Sequence, residues 1–309
     1  MEASITLKKV GKLFEGKTVL AGLNFGIEKG SLVAIIGESN SGKSTLLRVI
    51  AGFDHPEYGE IFIQGQNGVN HRREIRKMIG YVPLESDMDP WLTVEQNIRF
   101  IGELYGIKKY DIIDRMVTLA TELELQDFLH IPAKKLGRSI LKRALLLRAL
   151  IHDPSILILD EPTCSMDSQS IKLTWRLLNR LKGEKTIVYV SKSLSEVESA
   201  NDRIILLREG RIALDGTTDK LLSNSNGLHY FRIDFFNLSE SLYKQLTTIK
   251  NLISPMRENN SFEFYSREKS ILTSVFSVIQ DAKILDLKIR GFSLEDILHS
   301  TLIDDEGLQ

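Results

Sequence analysis

The feature that most constrains the fold of this chain is a glycine-rich octapeptide at residues 37–44, which matches the pattern G-x-x-x-x-G-K-[ST]. A continuous apolar run at 32–36 precedes it and is typical of a strand buried on both faces of a parallel sheet. The segment that follows, 43–53, carries apolar residues at helical spacing. A strand, such a loop and a helix in this order predict a phosphate-binding loop inside an α/β core.

The residue types of this loop suit a nucleoside triphosphate bound together with Mg²⁺. Successive backbone N–H groups are expected to point at phosphate oxygens, and the glycines permit close approach of the backbone. Lys43 is expected to neutralise the β- and γ-phosphates, and the Ser44 hydroxyl to ligate Mg²⁺. The predicted phosphate-binding residues are Gly37, Glu38, Ser39, Asn40, Ser41, Gly42, Lys43, Ser44 and Thr45.

A second apolar run, at 156–159, ends in the acidic pair Asp160 and Glu161. Ligands of open α/β sheets collect at the carboxyl ends of the strands. Asp160 is therefore expected to hold the metal ion through water, and Glu161 to orient or polarise the attacking water as the catalytic carboxylate. Alone, the pair would be interpreted as the polar end of a strand. Together with the phosphate-binding loop, it indicates a hydrolytic site.

Further along the chain, apolar strand-like runs alternate with helical patterns. Two such runs lie at 186–190 and 203–207. The alternation predicts an α/β core with a parallel sheet. Residues from 93 to about 151 are helical in pattern, so we expect a helical subdomain, at about 86–151, to be inserted into this core.

A polar stretch at 223–227 is rich in turn-forming residues and marks the expected boundary between two domains, 1–222 and 228–309. The second domain shows the order β-α-β-β-α-β, followed by a short helix from Ser293. The predicted fold is thus an α/β core with a helical insertion and a small α+β carboxyl-terminal domain. The core of that small domain is expected to contain the aromatic residues Tyr230, Phe231, Phe235 and Phe236.

Composition and charge exclude several classes of protein. Forty Lys and Arg residues nearly balance forty-one Asp and Glu residues, whereas a dedicated nucleic-acid binder usually carries a strong basic excess. The strongest basic cluster, at 71–77, is interpreted as a solvated face near a sheet edge.

The single cysteine, Cys164, cannot form an intrachain disulfide and fits a reducing compartment. No signal peptide and no apolar stretch of ~20 residues are expected, so membrane association would go through a partner.

With these motifs, the chain resembles the ATP-binding cassette (ABC) ATPases over residues 1–222. The octapeptide resembles their Walker A loop, 156–161 their Walker B strand, and 165–167 their D-loop. The resemblance implies a RecA-like P-loop core that binds ATP and Mg²⁺, with Glu161 as the catalytic glutamate and Phe14 stacked on adenine. It also implies a second ABC ATPase subunit, because a lone cassette has only half of each composite site.

Other segments resemble those of ABC-2-type exporters, which include drug, antibiotic-resistance, polysaccharide and lipid exporters. These segments lie at 92–97 and 104–106 in the helical subdomain and at 292–298, around the sequence S-L-E-D. The resemblance implies a separate transmembrane permease as partner. It places the protein in the cytoplasm, peripheral on the inner face of the cell membrane through that permease.

Three elements of the family pattern are absent from the sequence. Leu84 stands where a Q-loop glutamine is expected, and leucine can neither ligate Mg²⁺ nor hydrogen-bond water. In place of the signature L-S-G-G-Q, Gly137 lacks the serine hydroxyl, Arg138 adds a long side chain, and Ser139 is a candidate donor from a shifted position. Lys192 occupies the position of the switch histidine and cannot accept a hydrogen bond while protonated.

These departures leave nucleotide binding intact and weaken hydrolysis. The sequence therefore predicts one subunit of an asymmetric pair of ABC ATPases that drives an exporter, with reduced activity as an isolated chain. The alternative is a hydrolysis-deficient regulatory subunit of such a complex, in which ATP binding stabilises assembly. A soluble ABC protein that acts on ribosomes or DNA is disfavoured, because such proteins usually carry two cassettes or a long coiled coil and this chain has a formal net charge of only -1.

Overall fold

A computed structural model describes residues 3–68, 70–200, 202–223, 227–280 and 282–299. The chain divides into two compact units, Met1–Thr218 and Asp219–Gln309. The domain limits expected from the sequence stay a prediction, since residues 224–226 of the expected boundary lie outside the described part of the chain.

Two β-sheets frame the first unit. In chain order, their strands are β1 (Ala3–Phe14), β2 (Lys17–Glu28), β3 (Leu32–Ile36), β4 (Tyr58–Ile63), β5 (Gln66–Asn67), β6 (Ile79–Val82), β7 (Ile156–Asp160), β8 (Thr186–Val190), β9 (Arg203–Arg208) and β10 (Arg211–Gly216). An antiparallel sheet has the order β2-β1-β4-β5, and a mixed sheet has the order β10-β9-β3-β8-β7-β6. Apolar side chains of both sheets, among them Ile5 and Val33, meet in one core.

The mixed sheet brings the predicted site residues to one edge. Its paired strands run parallel except β10, which is antiparallel to β9. Every residue of β3, β7 and β8 is buried, which confirms the buried strands predicted from the apolar runs. β8 lies between β3 and β7 and pairs with both. The segments that follow these three strands therefore meet at the carboxyl edge of the sheet.

The helices of the first unit lie between or after its strands along the chain, and three of them form the predicted helical insertion. In chain order, they are α1 (Lys43–Ile50), α2 (Arg72–Met78), α3 (Val94–Leu104), α4 (Lys109–Glu122), α5 (Arg138–Leu150), α6 (Ser168–Leu181), α7 (Leu194–Ala200) and α8 (Thr218–Ser223), the last of which spans the border between the units. α1 ends before the predicted position 53, because Gly52 adopts φ 72° and the Phe53 N–H bonds the Arg48 carbonyl, as in a Schellman motif. The basic cluster at 71–77 lies largely on α2, which directly precedes the edge strand β6.

The helical insertion comprises α3, α4 and α5, with short 3₁₀ turns at Gln126–Phe128 and Ala133–Lys135. α3 begins with a capping box, in which the Thr93 side chain accepts from the Gln96 N–H and the Gln96 side chain accepts from the Thr93 N–H. Among the described residues, no helix combines the length and the apolar character needed to cross a bilayer.

The second unit confirms the predicted β-α-β-β-α-β order. Its elements are β11 (His229–Phe235), α9 (Glu240–Thr247), β12 (Ile253–Glu258), β13 (Ser261–Ser266), α10 (Ile271–Val278), β14 (Ile284–Gly291) and α11 (Leu294–His299). The strands form an antiparallel sheet in the order β12-β13-β11-β14. α9 and α10 supply Leu246 and Val275 to the core on one face of this sheet.

The aromatic core of the second unit is only partly as predicted. Phe231 and Phe235 are buried, because alternate residues of β11 point toward the helices. Tyr230 is half-buried on the opposite face, where it pairs with Tyr265. The placement of Phe236 in the core is wrong: it follows the end of β11, is 64% exposed, and carries the Lys283 ammonium over its ring.

The S-L-E-D segment has a structural role in this unit. The Asp296 carboxylate is buried and accepts hydrogen bonds from the Ser293 N–H and hydroxyl, both at 2.8 Å. It also accepts from the Tyr265 hydroxyl at 2.9 Å and from the Arg290 guanidinium. These bonds fix the start of α11 against β13 and β14.

Candidate nucleotide-binding site

Three loops meet at the carboxyl edge of the mixed sheet. The glycine-rich loop follows β3, the Asp160-Glu161 pair ends β7, and Lys192 follows β8. The Ser44 hydroxyl acts to lower the pKa of Asp160, and the Lys192 ammonium lies 2.8 Å from the Glu161 carboxylate. The structure thus brings the predicted phosphate-binding, metal-binding and catalytic residues together.

The backbone of the glycine-rich loop excludes side chains at two positions. Gly37 and Gly42 have φ angles of 151° and 100°. A Cβ atom would lie 2.1 Å from the Leu207 carbonyl oxygen at Gly37, and 2.7 Å from the Val19 carbonyl oxygen at Gly42. Gly42 is the N-cap of α1, and no side chain caps that helix, so its first N–H groups face the loop. Among the other predicted loop residues, Glu38, Ser39, Asn40 and Ser44 are exposed, Thr45 is half-buried and Ser41 is buried.

The Lys43 ammonium lies inside the loop and is surrounded by its oxygens. Nζ donates to the Gly37 carbonyl at 2.9 Å, to the Glu38 carbonyl at 2.5 Å and to the Ser41 hydroxyl at 3.2 Å. Burial lowers the pKa of Lys43, while the Glu161 carboxylate acts in the opposite direction. Three oxygen atoms of the loop thus surround the Lys43 ammonium.

Asp160 and Ser44 fit a Mg²⁺ ion. Asp160 is 3% exposed, and its Oδ1 atom is buried without a hydrogen-bond partner. Burial raises the pKa of Asp160, while the Ser44 hydroxyl acts to lower it. An unpartnered buried carboxylate oxygen beside a hydroxyl suits Mg²⁺, which takes one or two protein oxygens and completes its shell with water and phosphate. The described residues contain no group of three or more His, Cys, Asp or Glu side chains that could hold a metal ion.

Glu161 is held in a strained conformation by its neighbours. Its φ of 47° lies in the left-handed region, which is unfavourable for a residue with a Cβ. Its N–H donates to the Val190 carbonyl at 3.0 Å. Its side chain is 9% exposed and pairs with Lys192, whose side chain is 65% exposed. A cation therefore occupies the carboxylate that the sequence assigns to the attacking water.

Lys142 is a residue of the site that the sequence motifs did not reveal. Its Nζ atom donates to the Pro83 carbonyl at 3.1 Å and to the Glu161 carbonyl at 3.4 Å, and the residue is 8% exposed. Leu84, at the Q-loop position, follows Pro83 and is 39% exposed. The signal in the sequence was the presence of cations, Lys142 among them, within an otherwise apolar helical stretch at 141–151.

The segment at the signature position begins α5. Gly137 is the N-cap of this helix without a side-chain cap, and Arg138 is its exposed first residue. The Ser139 hydroxyl donates to the Asp167 carboxylate at 2.5 Å, and Asp167 in turn caps α6 through the Ser170 N–H at 2.9 Å. The Ser139 hydrogen bond, with those from Ser170, lowers the pKa of Asp167. The hydroxyl proton of Ser139 is thus engaged within its own chain.

Phe14 ends β1 at the turn to β2, where its ring is 47% exposed and lies 5.3 Å from the Lys12 ammonium. An exposed ring is compatible with stacking on a base. Its contact with adenine stays a prediction.

Sequence comparisons identify proteins that are similar to this chain. The family model described as ABC transporter matches residues 20–164. The chain is 31% identical over 232 residues to the Nod factor export ATP-binding protein I of Burkholderia lata, an alignment that covers 75% of this chain and 76% of that protein. It is 30% identical to the ABC transporter ATP-binding protein NatA of Bacillus subtilis, over 73% of this chain and 95% of that protein.

Solved structures show the same fold. A dimeric bacterial ABC transporter cassette matches with a TM-score of 0.65 and 28% identity, covering 69% of this chain and 98% of that chain. An ATP-bound bacterial exporter of the Atm1 family matches with a TM-score of 0.65 and 26% identity, covering 72% of this chain and 40% of that chain. The predicted P-loop core with its helical insertion is thereby confirmed.

Proposed function

The chain belongs to the ABC transporter family of ATP-binding proteins, and on that premise we propose that it is the ATP-binding subunit of a membrane exporter, paired with a different ABC ATPase subunit. The observation that carries the proposal is the arrangement of Lys43, Ser44 and Asp160. An ammonium inside a glycine-rich loop lies beside a hydroxyl and a carboxylate with one unpartnered oxygen. These groups suit a triphosphate that is bound together with Mg²⁺.

Each residue of the site has a distinct part in this function. The N–H groups of 37–45 and the amino end of α1 bind the β- and γ-phosphates, and Lys43 neutralises their charge. Ser44 and Asp160 would hold Mg²⁺, Asp160 through water, and the bound ion would neutralise charge on the phosphates. Glu161 orients the attacking water when its carboxylate separates from Lys192. Phe14 stacks on the adenine ring.

The export function is supported by relatives and by local segments. One relative is named for Nod factor export. The segments at 92–97, 104–106 and 292–298 resemble those of ABC-2-type exporters. We therefore assign a transmembrane permease as the partner, with the protein on the cytoplasmic face of the membrane through that permease and without a role for nucleic acid.

The asymmetric pairing is supported by the departures at three positions. Lys192 pairs with Glu161, the Leu84 side chain has no polar atom, and the Ser139 hydroxyl donates to Asp167. Lys192 and Leu84 weaken the site of this chain, whereas the segment at 137–139 weakens the site of the facing cassette. A homodimer would combine both sets of defects in each of its two sites, whereas a partner with intact motifs would leave only one set in each site.

The alternative is a regulatory subunit that binds ATP without hydrolysing it. The observation that favours it is the ion pair between Lys192 and Glu161, because the ammonium competes with water for the carboxylate. In that function, ATP binding stabilises the complex and the second cassette performs all hydrolysis.

Purification of the tagged protein from native membranes in mild detergent, with mass spectrometry of the co-purifying proteins, tests the pairing. A permease together with a different cassette supports the proposal, and a permease with this cassette alone refutes the asymmetry. Turnover of the isolated chain at ~1–100 per second, the range of ordinary enzymes, would also contradict the weakened site.

The substitution Glu161→Gln in the purified complex separates the two functions. A large loss of ATP turnover supports the hydrolytic subunit, and unchanged turnover supports the regulatory one. Glu184→Gln is the matched control, because Glu184 is exposed in the turn before β8, at the opposite edge of the sheet.

A further inference from the structure

Helix α5 carries three buried cations that bind oxygens of other segments of the chain. Lys142, Arg143 and Arg148 are 8%, 7% and 8% exposed. Buried cations need oxygen partners, because desolvation is otherwise strongly unfavourable. The accepting residues are Pro83 and Glu161 for Lys142, Leu123 and Glu124 for Arg143, and Asp87 for Arg148. α5 thus fixes the end of α4, the loop after β6 and the turn after β7.

Of these three cations, Lys142 is the one that connects two loops bordering the nucleotide site. Its Nζ atom lies 3.1 Å from the Pro83 carbonyl oxygen and 3.4 Å from the Glu161 carbonyl oxygen. Burial lowers the pKa of Lys142, while the Cys164 thiol and the Asp160 and Glu161 carboxylates act in the opposite direction. The proximity of these acidic groups supports the charge of a side chain that burial alone would disfavour.

The turn that carries Glu161 needs such support. A glutamate with φ 47° keeps this conformation only where its surroundings determine it. The Glu161 N–H is held by the Val190 carbonyl at 3.0 Å, and its carbonyl oxygen accepts from the Cys164 N–H at 3.2 Å as well as from Lys142. Of these contacts, only that of Lys142 comes from the helical insertion.

We propose that Lys142 is a positioning residue that fixes the backbone of Glu161 and couples it to the start of α5. Arg138, the first residue of α5, lies one helical turn before Lys142. A displacement of the segment 136–140 by a facing cassette therefore reaches Glu161 and Pro83 through a single turn of helix. The part played by the facing cassette rests on the proposed function. The hydrogen bond from Lys142 to the Glu161 carbonyl, called the tie below, does not depend on it.

Hydrogen exchange in the full chain tests the tie without any need for turnover. In Lys142→Met, the Cys164 amide, which bonds the same Glu161 carbonyl, is expected to exchange about tenfold faster, as for the loss of one charge-assisted hydrogen bond. The Leu125 amide at the end of α4 should be unchanged. Arg143→Met is the matched control on the same helix. In that variant the Leu125 amide should exchange faster and the Cys164 amide should be unchanged, because Arg143 holds the carbonyls of Leu123 and Glu124.

Turnover and ATP affinity measured on the same proteins test the positioning role. Lys142→Met is expected to lower kcat about tenfold while the Kd for ATP stays within about twofold, because the loop at 37–45 is untouched. Lys142→Arg, which keeps donors for both carbonyls, should restore part of kcat, and Arg143→Met should leave kcat near that of the wild type.

Each outcome decides a different part of the proposal. Unchanged exchange at Cys164 in Lys142→Met overturns the tie, and altered exchange with unchanged kcat overturns the positioning role. If the wild type hydrolyses no ATP, exchange at Cys164 alone decides the inference. If the wild type binds no ATP, the proposed function fails, while the exchange comparison keeps its meaning.

Discussion

Replacing Lys192 by histidine is expected to increase the rate of ATP hydrolysis about fivefold. In the present structure, the Lys192 ammonium lies 2.8 Å from the Glu161 carboxylate. We expect hydrolysis to proceed after that carboxylate leaves the ion pair, because the ammonium competes with the attacking water for it. A neutral histidine removes the ion pair and offers a nitrogen that can accept a hydrogen bond.

The magnitude follows from the exposure of the two side chains. Exposed ion pairs contribute ~0.2–1 kcal/mol, because solvent screens them. The Lys192 side chain is 65% exposed, which argues for screening, but the Glu161 side chain is only 9% exposed, which favours the upper end of that range. Release of a pair worth about 1 kcal/mol lowers the activation barrier by that amount, and 1.36 kcal/mol corresponds to a factor of ten in rate. About fivefold is therefore the gain expected from release alone.

The assay is steady-state phosphate release at saturating ATP and Mg²⁺, with Glu161→Gln in the Lys192→His background to show that the added turnover depends on Glu161. Lys182→His is the matched control, because Lys182 also forms an ion pair, with Asp202, but precedes β8 at the opposite edge of the sheet. A rate that falls in Lys192→His would show that the ammonium takes part in hydrolysis, and would refute the idea that the ion pair restrains Glu161.

Two further predictions concern the phosphate loop and the second unit. Lys43→Met should weaken ATP binding at least ~10-fold in calorimetry, because a charge-assisted hydrogen bond contributes ~1.5–3 kcal/mol, and an unchanged Kd would exclude this loop as the phosphate site. Burial raises the pKa of Asp296, but hydrogen bonds from Arg290, Ser293 and Tyr265 outweigh it and leave that pKa lowered. The resulting stabilisation is present above the ordinary carboxyl value of 3.8 and is lost as the pH falls through the lower folded value. Urea unfolding of the wild type should therefore show that the second unit loses stability below about pH 4. In Asp296→Asn this loss should be smaller, and equal losses in both proteins would contradict this role of Asp296.

Much of the fold was predictable because its signals are local. Residues 32–36 and 156–159 are apolar at every position, which is what a strand covered on both faces requires, and both are buried strands. The order of elements in the second unit followed from alternating periodicities of two and 3.6 residues. Phe236 was predicted to lie in the core but is exposed, because the sequence did not show that β11 ends at Phe235 and that the next ring lies outside the sheet.

The loop and the carboxylates of the candidate site could be predicted from the sequence, whereas Lys142 could not. The octapeptide determines its own backbone, since a Cβ at Gly37 or Gly42 would meet carbonyl oxygens, and the motif therefore predicts the loop directly. The neighbouring carboxylates could be expected at one edge because parallel strands end together. Lys142 could not be assigned from sequence, because its partners, Pro83 and Glu161, lie 59 and 19 residues away along the chain.

The sequence by itself determined the phosphate-binding loop, the acidic pair at the end of β7 and the positions at which the family pattern is broken, because each of these depends on residue type and short-range spacing. Only the tertiary structure decided what the unusual residues contact: β8 lies beside β7, so Lys192 reaches Glu161, and the start of α5 lies beside Asp167, so Ser139 bonds to it. Such contacts depend on which strands and helices become neighbours. That is a property of the packed core rather than of any segment alone.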